Sequence, residues 1–160
     1  MPAVADVQLV TTELIESLRV RAAGTPRLRI NHNFHSGPQD NPHRFLNVML
    51  RGTYVQPHRH KSPAKAESWV LLDGSARLFT FDDQGIATGS WLLSANGPAR
   101  GIDVIPGIWH TIAVTSDWAA VYEVKPGPWD PATDKEFAAW APAEGDPAAP
   151  GYLESLLALP

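Results

Sequence analysis

The sequence predicts an all-β domain, an antiparallel sandwich or barrel, with one helix in front and a short helical tail behind. Two observations carry this. Between residues 44 and 124, short apolar runs alternate with turn-forming residues at a regular spacing. On either side the pattern changes: residues 10–23 show helical periodicity, and Lys125-Pro126-Gly127-Pro128 breaks the strand-rich part. A length of 160 residues suits one domain with a sizeable core. Its expected parts are a helical segment over 1–26, a β-barrel over 27–125, and an extension over 126–160 packed on the barrel.

Taken in order, the first helix can be capped by Thr11 or Thr12, with Glu13 and Glu16 in its first turn. Val10, Leu14, Ile15 and Leu18 form its apolar stripe, and Gly24 followed by Thr25-Pro26 stops it. Residues 28–34 read as a short strand and 36–42 as a loop. Further strands are expected at 44–50, 54–58, 68–72, 76–81, 86–93, 101–105, 110–114 and 119–124. Asp73-Gly74, flanked by apolar runs, reads as a hairpin turn. In the tail, Thr133 and Glu136 form a capping-box pattern ahead of Phe137 and Trp140, which predicts a helix ending before Pro142. Residues 152–159 read as a terminal helix with an apolar face.

Composition narrows the function. Hydrophobic residues make up 44% and charged residues 19%, an ordinary globular balance. The net charge is −4 with no basic run, which argues against nucleic acid as the main partner. There is no cysteine, so disulfides and thiolate ligands are excluded, and any metal must be held by nitrogen and oxygen. Residues 1–16 lack the basic and apolar regions of a signal peptide, and no apolar run is long enough to span a bilayer. A cytoplasmic protein without membrane insertion is expected.

The segment 52–74 carries the clearest chemistry. His58 and His60 stand two residues apart, so on a strand they share one face, and Glu67 opens the next apolar run. His110, downstream of a Pro106-Gly107 turn, can return to the same interior. Three imidazoles and a carboxylate suit one divalent transition metal (Zn, Fe, Mn or Ni) with positions left for water or substrate. The other role open to Glu67 is a carboxylate that orients a ligand histidine from behind.

At these positions the sequence resembles the cupins, small jelly-roll β-barrels with a single metal centre. Gly52, His58, His60, Glu67 and Gly74 fill the first cupin motif, with six residues between His60 and Glu67 where three or four are usual. Gly107 and His110 match the second motif, while Ile105 stands in its proline slot and Val114 where Asn is common. A narrower resemblance, to WbuC-type cupin metalloproteins, covers about residues 27–155. It rests on Arg29-x-Asn31-x-Asn33-x-His35, Pro57-His58-Arg59-His60, Lys125-Pro126-Gly127-Pro128 and Trp140-Ala141-Pro142. That resemblance implies a setting in lipopolysaccharide O-antigen and exopolysaccharide biosynthesis.

The alternating series Arg29, Asn31, Asn33, His35 presents one polar face. If that face lines the barrel mouth, Arg29 can take a carboxylate or phosphate and the asparagines can take sugar hydroxyls. Tyr54 and Gln56 share the parity of His58, and Tyr54 joins the candidate substrate-binding set. His32, His43 and Lys65 read as solvated. Trp69, Trp91, Trp109 and Trp118 read as packing, and Trp129 and Trp140 as anchors for the tail. The expected function is a metal-dependent cupin acting on a small polar, carbohydrate-derived substrate, an isomerase or epimerase in which the ion polarises a carbonyl. An iron-dependent dioxygenase and a non-catalytic binding protein are the alternatives. A homodimer is expected, formed through sheet edges.

Overall fold

The computed structural model describes residues 5–160. The reading of residues 1–16 as free of a leader therefore falls partly on residues 1–4, outside the described residues. Helix α1 (Thr12–Ala23) is capped as its sequence requires: the Thr11 hydroxyl accepts the Leu14 N–H at 3.1 Å, and the Gly24 N–H closes the last turn onto Arg21 and Ala22 carbonyls. Ten strands follow, β1 (Arg29–Asn33), β2 (His43–Leu50), β3 (His58–Arg59), β4 (Glu67–Asp73), β5 (Ser75–Phe81), β6 (Ala87–Ser94), β7 (Gly101–Val104), β8 (Trp109–Val114), β9 (Trp118–Lys125) and β10 (Glu136–Phe137). Helix α2 (Ala149–Leu157) ends the chain.

The strands form two five-stranded antiparallel sheets, ordered β1-β2-β9-β4-β7 and β10-β3-β8-β5-β6. Beneath that order the pairs are nested: β2 with β9, β3 with β8, β4 with β7, β5 with β6. The chain doubles back between β5 and β6, and the doubled strand rolls up, alternating between sheets. That is a jelly roll, as the cupin resemblance implies. No strand of one sheet pairs with a strand of the other, so the expected barrel is an open two-sheet sandwich.

This topology corrects several local expectations. Asp73-Gly74 is not a hairpin: β4 and β5 lie in different sheets, and the turn is a corner between them. The hairpin is β5–β6, closed by Asp82, whose N–H donates to the Ile86 carbonyl at 3.0 Å. The strand expected at 54–58 shrinks to His58–Arg59. No helix forms from Thr133. Glu136, the acid of the capping-box pattern, is held by Arg59 at 2.8 Å, and Glu136 and Phe137 pair with β3 instead. Tertiary pairing thus overrides a local signal worth about 1 kcal/mol. The terminal helix starts earlier than expected, at Ala149, with Pro150 in its first turn where a missing N–H costs nothing.

Three apolar layers fix the frame. Met49, Trp69, Leu71, Leu78, Ile112, Val114 and Val121 fill one end of the space between the sheets. Leu18, Phe34, Leu46, Val48 and Ala120 seat α1 on the outside of the first sheet. Phe79, Phe81, Trp109 and Ala113 take the tail residues Ala138, Ala141, Leu153 and Leu156 on the outside of the second. Strand β8 is buried at all six positions because the tail covers one face and the sandwich interior the other. Trp140 packs against Phe81 and Trp109, as its role as an anchor requires, whereas Trp91 is 49% exposed and lies outside the core. No helix among the described residues is long and apolar enough to cross a membrane.

Candidate metal centre

The open end of the sandwich holds His58, His60, Glu67 and His110, all buried, with one ligand atom from each lying within 4.8 Å of the others. The register explains the convergence. His58 in β3 stands directly opposite His110 in β8, and both point inward. His60 follows β3 on the same parity, while Arg59 between them turns outward to Glu136, Asp83 and the face of Trp109. Glu67 opens β4 in the facing sheet and reaches across, with His110 Nε2 at 2.8 Å and His60 Nε2 at 3.5 Å from its Oε2. The long gap after His60 folds as a tight turn closed by a Lys61–Ala64 bridge, so no ligand is displaced.

The hydrogen bonds set the tautomers. Each imidazole turns Nδ1 to a backbone carbonyl: His58 to Gln56 at 2.9 Å, His110 to Ile108 at 2.8 Å, and His60 to Asp134. A carbonyl only accepts, so Nδ1 carries the proton and Nε2 presents a lone pair to the centre. Burial, reinforced by Lys135 and His110, holds the His58 pKa well below its ordinary value, so that ring is neutral. His60 Nε2 is buried without a hydrogen-bond partner. Three inward lone pairs facing a carboxylate repel unless a cation lies among them. The residues therefore fit one divalent metal ion, with Glu67 among the four that would hold it.

A second carboxyl, Glu123 of β9, lies against Glu67. Burial and the Glu67 charge push the Glu123 pKa well above the carboxylate range, so it stays neutral and donates to Glu67. Burial works to raise Glu67 as well, but the hydrogen bond from Glu123 and the surrounding groups outweigh it and hold the Glu67 pKa well below its ordinary value. Glu123 is not among the site residues expected from the sequence. Its signal is a lone acid in an otherwise apolar strand, on the inward parity of Val121.

The centre opens into a cavity of about 780 Å³. Asn31 and Asn33 of β1 line it, with Arg29 and His35 at either end of the series, all on the inward parity. Asn47 and Trp69 add an orphan Oδ1 and an orphan Nε1, both buried. Arg29 is committed elsewhere: it is 8% exposed, ion-paired with Glu144, and donates to Thr53 Oγ1 at 3.2 Å and the Tyr54 carbonyl at 3.0 Å. Tyr54 leaves the set. Its hydroxyl donates to the Pro142 carbonyl at 2.7 Å and its ring packs on Tyr152, because the tail offers it an acceptor. Burial pushes its pKa up, and no proton leaves it near neutrality.

Two residues expected at the surface are not. His43 is buried, stacked on His35 at 4.0 Å, and donates to the Pro38 carbonyl at 3.0 Å. Lys65 is buried and donates to Pro128 at 2.6 Å and to Asp134 at 3.1 Å, so the turn between His60 and Glu67 delivers an ammonium into the interior. Trp129, expected as an anchor, stands 43% exposed on the cavity wall. Asp134 and Lys135, which the sequence does not single out, and Lys125, which it marks only as the start of the strand-breaking segment, complete that wall. Asp134 and Lys135 sit between Thr133 and Glu136, where the local pattern points to a helix start and not to a buried charge.

Among solved structures the fold is similar to that of the capsular polysaccharide assembling protein CapF from Staphylococcus aureus, at 17% identity over 67% of this chain, with TM-scores of 0.56 and 0.57 in two crystals. The chain spans less than a third of the CapF length, 31% and 28%. NovW from Streptomyces spheroides, a 4-keto-6-deoxy sugar epimerase, aligns at 22% identity over 59% of this chain and 49% of its own, with a TM-score of 0.49. No curated protein matches the chain. The family model described as Domain of unknown function (DUF6016) matches residues 10–93, more than half of the sequence, and the chain belongs to that family.

Proposed function

We propose that this chain is a mononuclear metal-dependent enzyme that isomerises or epimerises a small, carbohydrate-derived substrate. One observation carries the reading: three imidazoles, each fixed with its Nε2 inward, meet a carboxylate at the floor of a polar cavity. When bound, Zn, Fe, Mn or Ni would supply Lewis acidity to polarise a carbonyl or hydroxyl. The chain's own residues supply the rest. Asn31, Asn33 and the orphan polar atoms of Asn47 and Trp69 offer donors and acceptors suited to hydroxyl groups. Glu123 holds a proton at its carboxyl beside Glu67, and Lys135 faces the same floor. The jelly roll shared with CapF, a protein of capsular polysaccharide assembly, supports a surface-polysaccharide setting such as O-antigen metabolism.

The test starts from metal-stripped protein loaded with each ion in turn. Elemental analysis should give one ion per chain in the wild type and none in His58→Ala or His110→Ala. A metal at a hundredfold excess over its Kd stabilises the fold by about 2.7 kcal/mol, which raises Tm by about 8 °C in a domain of this size. Sugar phosphates and nucleotide sugars are then incubated in deuterated water, where the metal-loaded protein should exchange a carbon-bound proton of its substrate. Exchange that persists in His58→Ala after the metal is lost refutes the catalytic part. A sugar that raises Tm yet is recovered without exchange marks a binding protein instead. Oxygen uptake that appears only with iron(II) marks a dioxygenase.

A further inference from the structure

The cations around the cavity outnumber the carboxylates that hold them. Arg27 and Arg29 both pair with the single carboxylate of Glu144. Lys65 and Lys125 both pair with that of Asp134, at 3.1 Å and 2.7 Å. Lys135, next in the chain, lines the cavity beside His58 and Glu67 and has neither an ion pair nor a hydrogen bond among the described residues. Five cationic groups thus stand against two carboxylates in and around this cavity, in a chain whose net charge is −4. The charge of Glu67 is committed to the metal centre, and Glu123 is held neutral beside it.

We infer that the cavity takes an anionic substrate, a phosphate ester or carboxylate of a polyhydroxylated molecule, and that Lys135 is the residue that receives its charge. Arg29, the residue the sequence offers for this task, is sequestered by Glu144, Thr53 and the Tyr54 carbonyl. Among the described residues Lys135 alone combines a place on the cavity lining with an uncommitted ammonium, and it lines the cavity together with His58 and Glu67 of the metal centre. Lys125 and Arg29, each of which shares its carboxylate with a second cation, add a field of the same sign, which attracts an anion and disfavours a cation in a low-dielectric pocket. Burial and the nearby Lys125 ammonium depress the Lys135 pKa, a penalty that an incoming anion relieves. This inference rests on the reading of the cavity as a substrate site, and it does not require the metal.

The test is calorimetric titration of the purified chain with inorganic phosphate, glucuronate and glucose, in metal-stripped and metal-loaded samples whose metal content is measured. Phosphate or glucuronate should bind at least tenfold more tightly than glucose. Lys135→Met should weaken the bound anion at least tenfold and leave glucose unchanged, while Lys135→Arg should retain it. A thermal melt of each variant confirms that it is folded. Binding of phosphate alone assigns a phosphate ester, and of glucuronate alone a carboxylate. Failure of both anions to bind the wild type, or equal binding by a folded Lys135→Met, overturns the inference. Anion binding without metal uptake leaves it standing and removes the metal-enzyme reading; metal uptake without anion binding does the reverse.

Discussion

Replacing Asp134 by asparagine keeps the shape of the side chain and removes its charge. In the native fold this carboxylate is 3% exposed and receives two ammonium groups, Lys125 at 2.7 Å and Lys65 at 3.1 Å. Both lysines are themselves buried, at 5% and 4% exposure. The substitution leaves two like charges close together in the interior, with one amide oxygen to share. Breaking a buried pair from one side costs about 3–5 kcal/mol, because the remaining charge is left without compensation. At about 3 °C per kcal/mol for a chain of this length, Tm should fall by about 9–15 °C.

The acid limb of the stability curve checks the cause. Burial raises the Asp134 pKa, but Lys125 and Lys65 outweigh it and hold the group below its ordinary value of 3.8. A depressed carboxyl pKa contributes stability that is fully present above the unfolded value, near pH 4, and lost as pH falls through the folded value. Asp134→Asn should therefore lose most stability at neutral pH and flatten the acid limb below about pH 4. Adding Lys65→Met to Asp134→Asn should recover part of the loss, since one stranded charge is gone. Thermal melts of the metal-stripped proteins from pH 3 to 8 measure all of this. A fall of less than 3 °C, or an acid limb as steep as the wild type's, would refute the account.

Two further outcomes are expected. Glu144→Gln strands Arg29, which is 7% exposed at its side chain, but Thr53 and the Tyr54 carbonyl still accept from it, so a loss of about 2–3 kcal/mol by urea titration is expected, with Arg27→Ala nearly neutral because that partner is 59% exposed. Gly74→Ala and Gly107→Ala both force a side chain onto a positive φ, of 70° and 84°, but a Cβ at Gly74 would collide with the Trp118 carbonyl oxygen, whereas at Gly107 it meets nothing within 4 Å. The second should cost about 1 kcal/mol and the first at least 2 kcal/mol more, and equal losses in urea melts would contradict the corner geometry.

What was legible in the sequence is what depends on parity and on rare chemistry. His58, His60 and His110 could be placed together because inward positions on strands recur every second residue, and no competing imidazole shares that pattern. The polar series from Arg29 was legible for the same reason. Loss of information begins where one charge has several possible partners. Arg29 has the right parity for a ligand, yet Glu144, in a loop with no periodicity, takes it. Lys65 sits in a turn that reads as solvated, and only the docked tail supplies Asp134 to bury it. The capping-box pattern at Thr133 failed through the same competition, since Arg59 claims Glu136. Local patterns state what a residue can do; the partner that reaches it first in three dimensions decides what it does.

The tail is therefore part of the site and not only a cover. His58 and His110 each donate to a carbonyl two residues upstream, so their orientation is settled within β3 and β8. His60 donates to the carbonyl of Asp134, 74 residues downstream. The side chain of that same residue gathers Lys65 and Lys125, and its neighbour Lys135 lines the cavity. One short stretch thus fixes the tautomer of His60, holds two buried ammonium groups and offers a third to the pocket. Undocking it would free the His60 ring, strand both lysines and open the wall at once. The orientation of His60 and the charge of the cavity wall are coupled through Asp134, so the histidine cluster and that wall form and fail together.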